Sequence, residues 1–194
     1  SRTVQPKQWF AAIKGPNYDG HDFIPDAIKK GAEGLIVNSY QKTFKNTPQI
    51  IVKDTTLGIG QLAKAWREKF DIPIIGITGS TGKTSTKEML LSILKQRFNV
   101  HATYGNYNNE YGLPISIMQL KPEHEIAIIE MGINAPTEMQ YLTDIAQPTI
   151  GLITNIQPAH IGQFESLEQI LEEKSKIFSS DKLNIAVINQ HDEL

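Results

Sequence analysis

Apolar residues fall along this chain in short runs separated by stretches with helical spacing. Trp9 to Ile13, Gly34 to Val37 and Ile50 to Val52 read as strands. Asp54 then stands as a helix N-cap before Ile59, Leu62, Ala63, Trp66 and Phe70, whose spacing places them on one helical face. The alternation continues beyond residue 72. Ile74 to Thr78, Glu125 to Met131, Thr149 to Thr154 and Asn184 to Ile188 are strand-like, with a helical stretch between each pair. Strands alternating with helices predict βαβ units on a parallel sheet. The unbroken run Ile126-Ala127-Ile128-Ile129 suits a strand covered on both faces. The expected fold class is α/β: a small α/β domain over residues 1–72, then a mostly parallel, doubly wound sheet over residues 73–194. In such a sheet the active site lies at the carboxyl ends of the strands. Two local signals add detail. Ser166 with Gln169 reads as a capping box opening a helix, and Asp19-Gly20 as a turn with Asp22 as the next N-cap.

Composition narrows the partners. The chain of 194 residues is 40% apolar and carries a net charge of −2 with both signs interspersed, so no basic footprint points to nucleic acid and small molecules are the natural ligands. With no cysteine there is no disulfide framework, thiolate metal site or cysteine nucleophile. No run approaches the roughly 20 apolar residues of a membrane helix, which leaves no membrane insertion expected. The closing tetrapeptide His191-Asp192-Glu193-Leu194 spells a retention address but is read as accidental, and a start at Ser1 suggests a piece of a longer protein.

After the strand Ile74 to Thr78 comes Gly79-Ser80-Thr81-Gly82-Lys83-Thr84-Ser85, followed by an amphipathic stretch with Met89, Leu90, Ile93 and Leu94. Strand, glycine loop and helix are the order of a P-loop. Its N–H groups can cradle the phosphates of ATP, Lys83 can neutralise the β/γ oxygens, and the Thr84 hydroxyl can ligate Mg²⁺. The general pattern is broken at one place, since Ile77 stands where the first glycine belongs.

A second cue is Lys174. It lies four residues after Ile170, three after Leu171 and four before Phe178, within the apolar stripe of a helix. Pattern alone leaves two readings open, a lysine snorkelling from the rim of the stripe or a desolvated amine with a lowered pKa. Glu130, at the end of an apolar strand, and His160, in the loop after the next, fall on the same sheet edge as Thr84; either could equally be an ordinary strand-end or loop residue.

Four segments together carry a resemblance: the loop Thr78-Gly79-Ser80-Thr81-Gly82-Lys83-Thr84, Glu130-Met131-Gly132, Asn155-Ile156-Gln157-Pro158-Ala159-His160-Ile161-Gly162, and Glu173-Lys174-Ser175-Lys176-Ile177-Phe178. They are similar to the Mur ligase family and its folylpolyglutamate synthetase relatives. That resemblance implies ATP and two Mg²⁺ ions as cofactors, with Thr84 and Glu130 as metal ligands near the phosphate loop. It further implies His160 and a carbamylated Lys174 at the second metal, so that Lys83, Lys174 and His160 are the catalytic candidates. Asn106-Tyr107-Asn108-Asn109-Glu110-Tyr111-Gly112 resembles a family loop facing the nucleotide phosphates, which makes Asn109 a nucleotide-binding candidate; its plain reading is a polar turn before a helix.

Ser1-Arg2 and Lys14-Gly15-Pro16-Asn17-Tyr18-Asp19-Gly20-His21-Asp22-Phe23 resemble the branch of the family that joins D-Ala-D-Ala to UDP-MurNAc-tripeptide through an acyl phosphate, with Ser1 and Arg2 near the UDP substrate. The implied enzyme is a bacterial, cytoplasmic, monomeric ligase of cell-wall precursor synthesis. Two alternatives stay open here: a related ligase with another acceptor, and a module that binds nucleotide or UDP-sugar without turnover.

Overall fold

The computed structural model describes residues 4–15, 17–158 and 163–192. The chain forms two compact units, Ser1–Gln61 and Leu62–Leu194.

In the first unit, β1 (Trp9–Ala11), β2 (Gly34–Val37) and β3 (Gln49–Ile51) make a parallel three-stranded sheet in the order β1-β2-β3. Its centre is β2, buried at every position, and a core of Phe10, Ala12, Ile24, Ala27, Leu35 and Val37 packs around it. Gly34 pairs with Trp9, and a β-carbon there would stand 2.4 Å from the indole ring, so the close approach of the strands requires glycine. Helix α1 (Ile24–Lys29) comes directly after a 3₁₀ turn over Gly20–Phe23. The cap of that turn is Asp19, whose carboxylate accepts from His21 N–H; Asp22, the expected cap, has been wound into the turn itself. Helix α2 (Thr55–Arg67) starts where Asp54 accepts from Leu57 N–H at 2.9 Å, as its spacing predicts.

The division between units falls within α2, earlier than the expected 72/73. Packing explains the difference, because Ala63 belongs to the core of the second unit, with Trp66 and Phe70 against it. Arg67, buried, donates to the carbonyls of Ala146, Phe70 and Gln147, and Trp66 Nε1 donates to Leu120. Residues 62–72 are therefore fastened to the core of the second unit. Leu62, expected on the buried face, is 43% exposed.

The second unit is built on five parallel strands in the order β5-β6-β4-β7-β8: β4 (Ile74–Thr78), β5 (Val100–Ala102), β6 (Ile126–Glu130), β7 (Ile150–Ile153) and β8 (Ile185–Val187). Helices α3 (Lys83–Leu94), α4 (Gly112–Ile117), α5 (Glu138–Ala146) and α6 (Leu167–Ser175) are the crossovers. From β4 the chain steps outward past β6 to β5 and thereafter moves the other way. Right-handed crossovers then put α3 on one face and α4, α5 and α6 on the other, where α5 contacts both its neighbours. The sheet is doubly wound, and the reversal of strand order beside β4 is the crevice where such sheets hold ligands. β5 has no counterpart in the sequence reading, because three residues with His101 at their centre make no apolar run.

Helix α3 departs from its amphipathic reading. Met89 and Ile93 are 60% and 63% exposed, while Lys87 is the residue it buries. The helix is phased by the loop that launches it at Gly82 and not by its apolar side chains.

Candidate active site

The loop after β4 is shaped by two glycines. Gly79 has φ 143° and Gly82 has φ 79°, both in the region L side chains avoid. A β-carbon on Gly79 would also stand 1.9 Å from Thr154 Oγ1. The segment after β7 ties the loop down. Ser80 N–H donates to Asn155 O at 2.9 Å, and the Ser80 hydroxyl donates to Gln157 O while accepting from Gln157 N–H, both at 2.8 Å. Thr81 N–H donates to Asn155 Oδ1 at 3.0 Å, and Thr154 Oγ1 donates to Thr81 O at 2.6 Å. The tie consumes the N–H groups of Ser80 and Thr81. What remains is the first turn of α3, where Lys83, Thr84 and Ser85 have N–H groups that no intrahelical carbonyl can take, at the positive end of the helix dipole. This is an anion cradle of phosphate type.

Two lysines converge on one oxygen of this loop. Lys83 Nζ donates to Gly79 O at 2.7 Å, and Lys174 Nζ donates to the same oxygen at 3.1 Å. Lys174 is 3% exposed, so of its two sequence readings the structure takes the desolvated one. Burial, then the neighbouring Lys83 charge, pull its pKa from 10.5 down to about 8, with Glu173 opposing them. Lys83 is lowered as well, by burial, against the attraction of Glu130. The placement of Lys174 comes from its helix. Ser166 caps α6 through Gln169 N–H, although the Gln169 side chain turns to Glu165 N–H and leaves the expected capping box half made. Near the other end, buried Glu173 accepts from Met139 N–H at 2.9 Å, capping α5, and pairs with Lys176. Glu173 thus pins α6 to α5 on one side and lets Lys174 reach the loop on the other.

On the far side of the loop, Thr84 Oγ1 lies 3.0 Å and 3.2 Å from the two carboxylate oxygens of Glu130, which is 2% exposed at the end of β6. Asn108 Nδ2 donates to Glu130 Oε1 at 2.8 Å, and Glu130 N–H donates to Thr103 Oγ1 at 3.0 Å. Buried Lys87, one turn along α3 from Lys83, donates to Thr103 O at 2.8 Å and stands 4.0 Å from Glu130 Oε2. A hydroxyl and a buried carboxylate meeting at the mouth of a phosphate cradle are the hard oxygen donors Mg²⁺ prefers. Among the described residues, no group of three or more His, Asp and Glu converges as a metal cage by itself.

Of the residues singled out in the sequence, the structure brings together Gly79 to Ser85, Glu130 and Lys174. Asn109 turns its side chain onto the N–H groups of Gly112 and Tyr111, opening α4, and its neighbour Asn108 is the one that reaches Glu130. His160, Ser1 and Arg2 lie outside the described residues. Lys87 and Thr103 went unmarked in the sequence, while Asn108, Thr154 and Asn155 stood in quoted segments with no role given to them. For Lys87 a signal did exist, its one-turn spacing from Lys83, whereas Thr103 and Asn155 act only because the sheet sets their strand ends beside β4.

The Mur ligase middle domain matches residues 77–194, and the Mur ligase family, catalytic domain, matches residues 1–67. The UDP-N-acetylmuramoyl-tripeptide–D-alanyl-D-alanine ligase of Synechocystis sp. is 42% identical over 180 residues, covering 92% of this chain and 40% of that protein. The ligase of the same name from Escherichia coli is 38% identical over 190 residues, covering 97% and 42%. Among solved structures, MurF from Acinetobacter baumannii superposes with a TM-score of 0.92 at 35% identity, covering 99% of this chain and 42% of that one. MurF ligase from Thermotoga maritima, solved in complex with ADP, gives 0.88 at 35% identity, covering 98% and 44%. The chain spans about two fifths of the length of the curated relatives it matches.

Proposed function

The chain belongs to the Mur ligase family, and on that premise we propose that it is the ATP-handling portion of a ligase that adds D-Ala-D-Ala to UDP-MurNAc-tripeptide. The terminal carboxylate of the tripeptide attacks the γ-phosphorus of ATP, the bond to ADP breaks, and an acyl phosphate forms. The dipeptide amine then attacks the carbonyl carbon and phosphate leaves. The observation that carries this reading is the meeting of Thr84 and buried Glu130 beside a cradle into which Lys83 and Lys174 both point.

Each residue has a task in this scheme. The first-turn N–H groups of α3 bind and orient the β- and γ-phosphates, and Lys83 exchanges the carbonyls of Gly79 and Ser80 for phosphate oxygens. Thr84 and Glu130 fit Mg²⁺, which supplies neutralisation of the charge on the phosphoryl oxygens when bound. To Lys174, with His160, we assign the second cation, Lys174 acting as its carbamate. Carbamylation joins the neutral amine to CO₂ with loss of a proton, and a pKa of about 8 leaves roughly a tenth of the amine neutral at pH 7. The carbamate keeps one N–H for Gly79 O and removes a positive charge from beside Lys83. The three-stranded unit, with Ser1 and Arg2, is assigned to the UDP substrate. The same reading puts the reaction in the bacterial cytoplasm; no described helix is long and apolar enough to cross a membrane.

The test is turnover by the full-length protein with ATP, Mg²⁺, UDP-MurNAc-tripeptide and a panel of acceptors that includes single amino acids. ADP release dependent on D-Ala-D-Ala, with the pentapeptide product, is the expected result. Equal turnover with a single amino acid, or none with the dipeptide, overturns the reading.

A further inference from the structure

Lys87 has no part in the scheme above, yet it is as deeply buried as Glu130, each at 2% exposure. An ammonium is held out of water only where its partners are good. Here they are the carbonyl of Thr103 at 2.8 Å, Glu88 Oε1 at 3.0 Å and Glu130 Oε2 at 4.0 Å. Thr103 links the two ends of this network, since its hydroxyl accepts from Glu130 N–H while its carbonyl accepts from Lys87. Thr103 N–H is itself fastened to Ile128 O at 3.0 Å, so the link is part of the sheet edge.

The charges around Glu130 are lopsided. Its carboxylate has the Lys87 ammonium 4.0 Å away from within, and its partner Thr84 follows Lys83, whose ammonium lies on the loop carbonyl of Gly79. Lys83 has phosphate to move to, whereas Lys87 lies beneath the strand end with its ammonium already committed to protein oxygens. A divalent cation approaching Thr84 and Glu130 without nucleotide meets the ammonium groups of Lys83 and Lys87 as well as the Glu130 carboxylate, with exposed Glu88 on the outer side of Lys87. With nucleotide, the phosphates draw Lys83 away and bring the missing negative charge.

We propose that Lys87 is a positioning residue that holds Glu130 toward Thr84 and offsets its charge, so that this pair takes a divalent cation together with nucleotide phosphate and not alone. The proposal rests on the assignment of Thr84 and Glu130 to Mg²⁺. It gives Lys87 a role in the order of binding: the site is kept from filling with metal that would have to leave before Mg–nucleotide could enter.

The experiment is Mn²⁺ binding to the full-length protein by electron paramagnetic resonance, with and without ADP, in wild type, Lys87→Gln, Lys87→Arg and Glu130→Ala. Glutamine keeps a donor for Thr103 O and removes the charge; arginine keeps the charge. In Lys87→Gln, Mn²⁺ alone should bind at least tenfold more tightly at the Glu130-dependent site, and the enhancement of Mn²⁺ affinity by ADP should shrink by the same factor. Lys87→Arg should behave as wild type. Unchanged affinity for Mn²⁺ alone in Lys87→Gln, with Glu130-dependent binding intact, overturns the role of Lys87. ADP-dependent Mn²⁺ binding that survives Glu130→Ala removes the metal assignment itself, a distinguishable failure. Should Lys87→Gln not fold, Glu88→Gln gives the second reading: stripping the outer partner frees the ammonium for Glu130 and should weaken Mn²⁺ binding alone, and no weakening overturns the proposal.

Discussion

Replacing Lys174 by methionine should make the protein more stable at neutral pH while disabling the site. The side chain is 3% exposed, and the fall of its pKa from 10.5 to about 8 has burial as its first cause and the Lys83 charge as its second. At about 1.4 kcal/mol for each tenfold change, folding works against the charged amine by about 3 kcal/mol. Methionine has a similar apolar stem and forfeits one hydrogen bond to Gly79 O, a loss of about 1 kcal/mol. That oxygen keeps its 2.7 Å bond from Lys83. The net expectation is a gain of about 2 kcal/mol at pH 7. The sign changes with pH in a defined way. Between about pH 8 and pH 10.5 the unfolded chain still holds the proton that the folded one has released, so wild-type stability rises through that window and the advantage of the variant fades. Urea unfolding in CO₂-free buffer at pH 7, 9 and 10 measures this. In a Trp9→Phe background Trp66 reports on the second unit, since these are the two tryptophans of the chain. A variant less stable than wild type at pH 7, or a difference that does not move with pH, would refute the reasoning.

Three other outcomes rest on named contacts. Gly79→Ala places a β-carbon 1.9 Å from Thr154 Oγ1 at φ 143°, and should cost on the order of 2–3 kcal/mol of stability and at least tenfold in ADP affinity by calorimetry. Glu173→Gln removes the partner of Lys176 and weakens the acceptor for Met139 N–H. Burial raises the Glu173 pKa, but Lys176 and the N–H groups of Met139 and Thr137 outweigh it and hold it below 4.5, so the carboxylate stabilises the fold above that pH and loses its effect as pH falls through the folded-state value. The variant should be about 1–2 kcal/mol less stable at pH 7 and converge with wild type in acid. His101, 7% exposed, has its pKa lowered from 6.5 to about 4 by burial first and His124 second, so the folded state resists a proton the unfolded state accepts. Stability should fall by about 2–3 kcal/mol from this group between pH 6.5 and pH 4, and His101→Gln should flatten that limb of a pH–stability curve.

Much of the candidate site was legible because its cues are local. The phosphate loop announces itself by glycines between an apolar strand and a helix, and Lys174 by a charge in the middle of a buried stripe. Glu130 could be read as the last residue of a run covered on both faces. What escaped depends on contacts between segments far apart in sequence. Asn155 shapes the loop from 74 residues away through Thr81, and its place at the head of the segment carrying His160 gives no sign of that contact. β5 pairs with β6 along one edge, and His101 at its centre breaks the apolar pattern that marks the other strands of this sheet. Lys87 was hidden by a misleading cue, since Met89 and Ile93 point to a buried face that α3 does not bury. The compact units divide inside α2, which reads as one amphipathic helix: Thr55 fastens its start to Ala12 O in one core, while Ala63 and Arg67 belong to the next.

The claim on which the rest depends is that a carboxylate oxygen of the substrate attacks phosphorus at this sheet edge. It is tested by supplying the full-length protein with UDP-MurNAc-tripeptide carrying ¹⁸O in its terminal carboxylate, unlabelled ATP, Mg²⁺ and D-Ala-D-Ala, and weighing the released phosphate by mass spectrometry. An acyl phosphate must pass one ¹⁸O from each labelled carboxylate to phosphate when the amine displaces it. Phosphate without label, alongside normal product formation, would contradict the account.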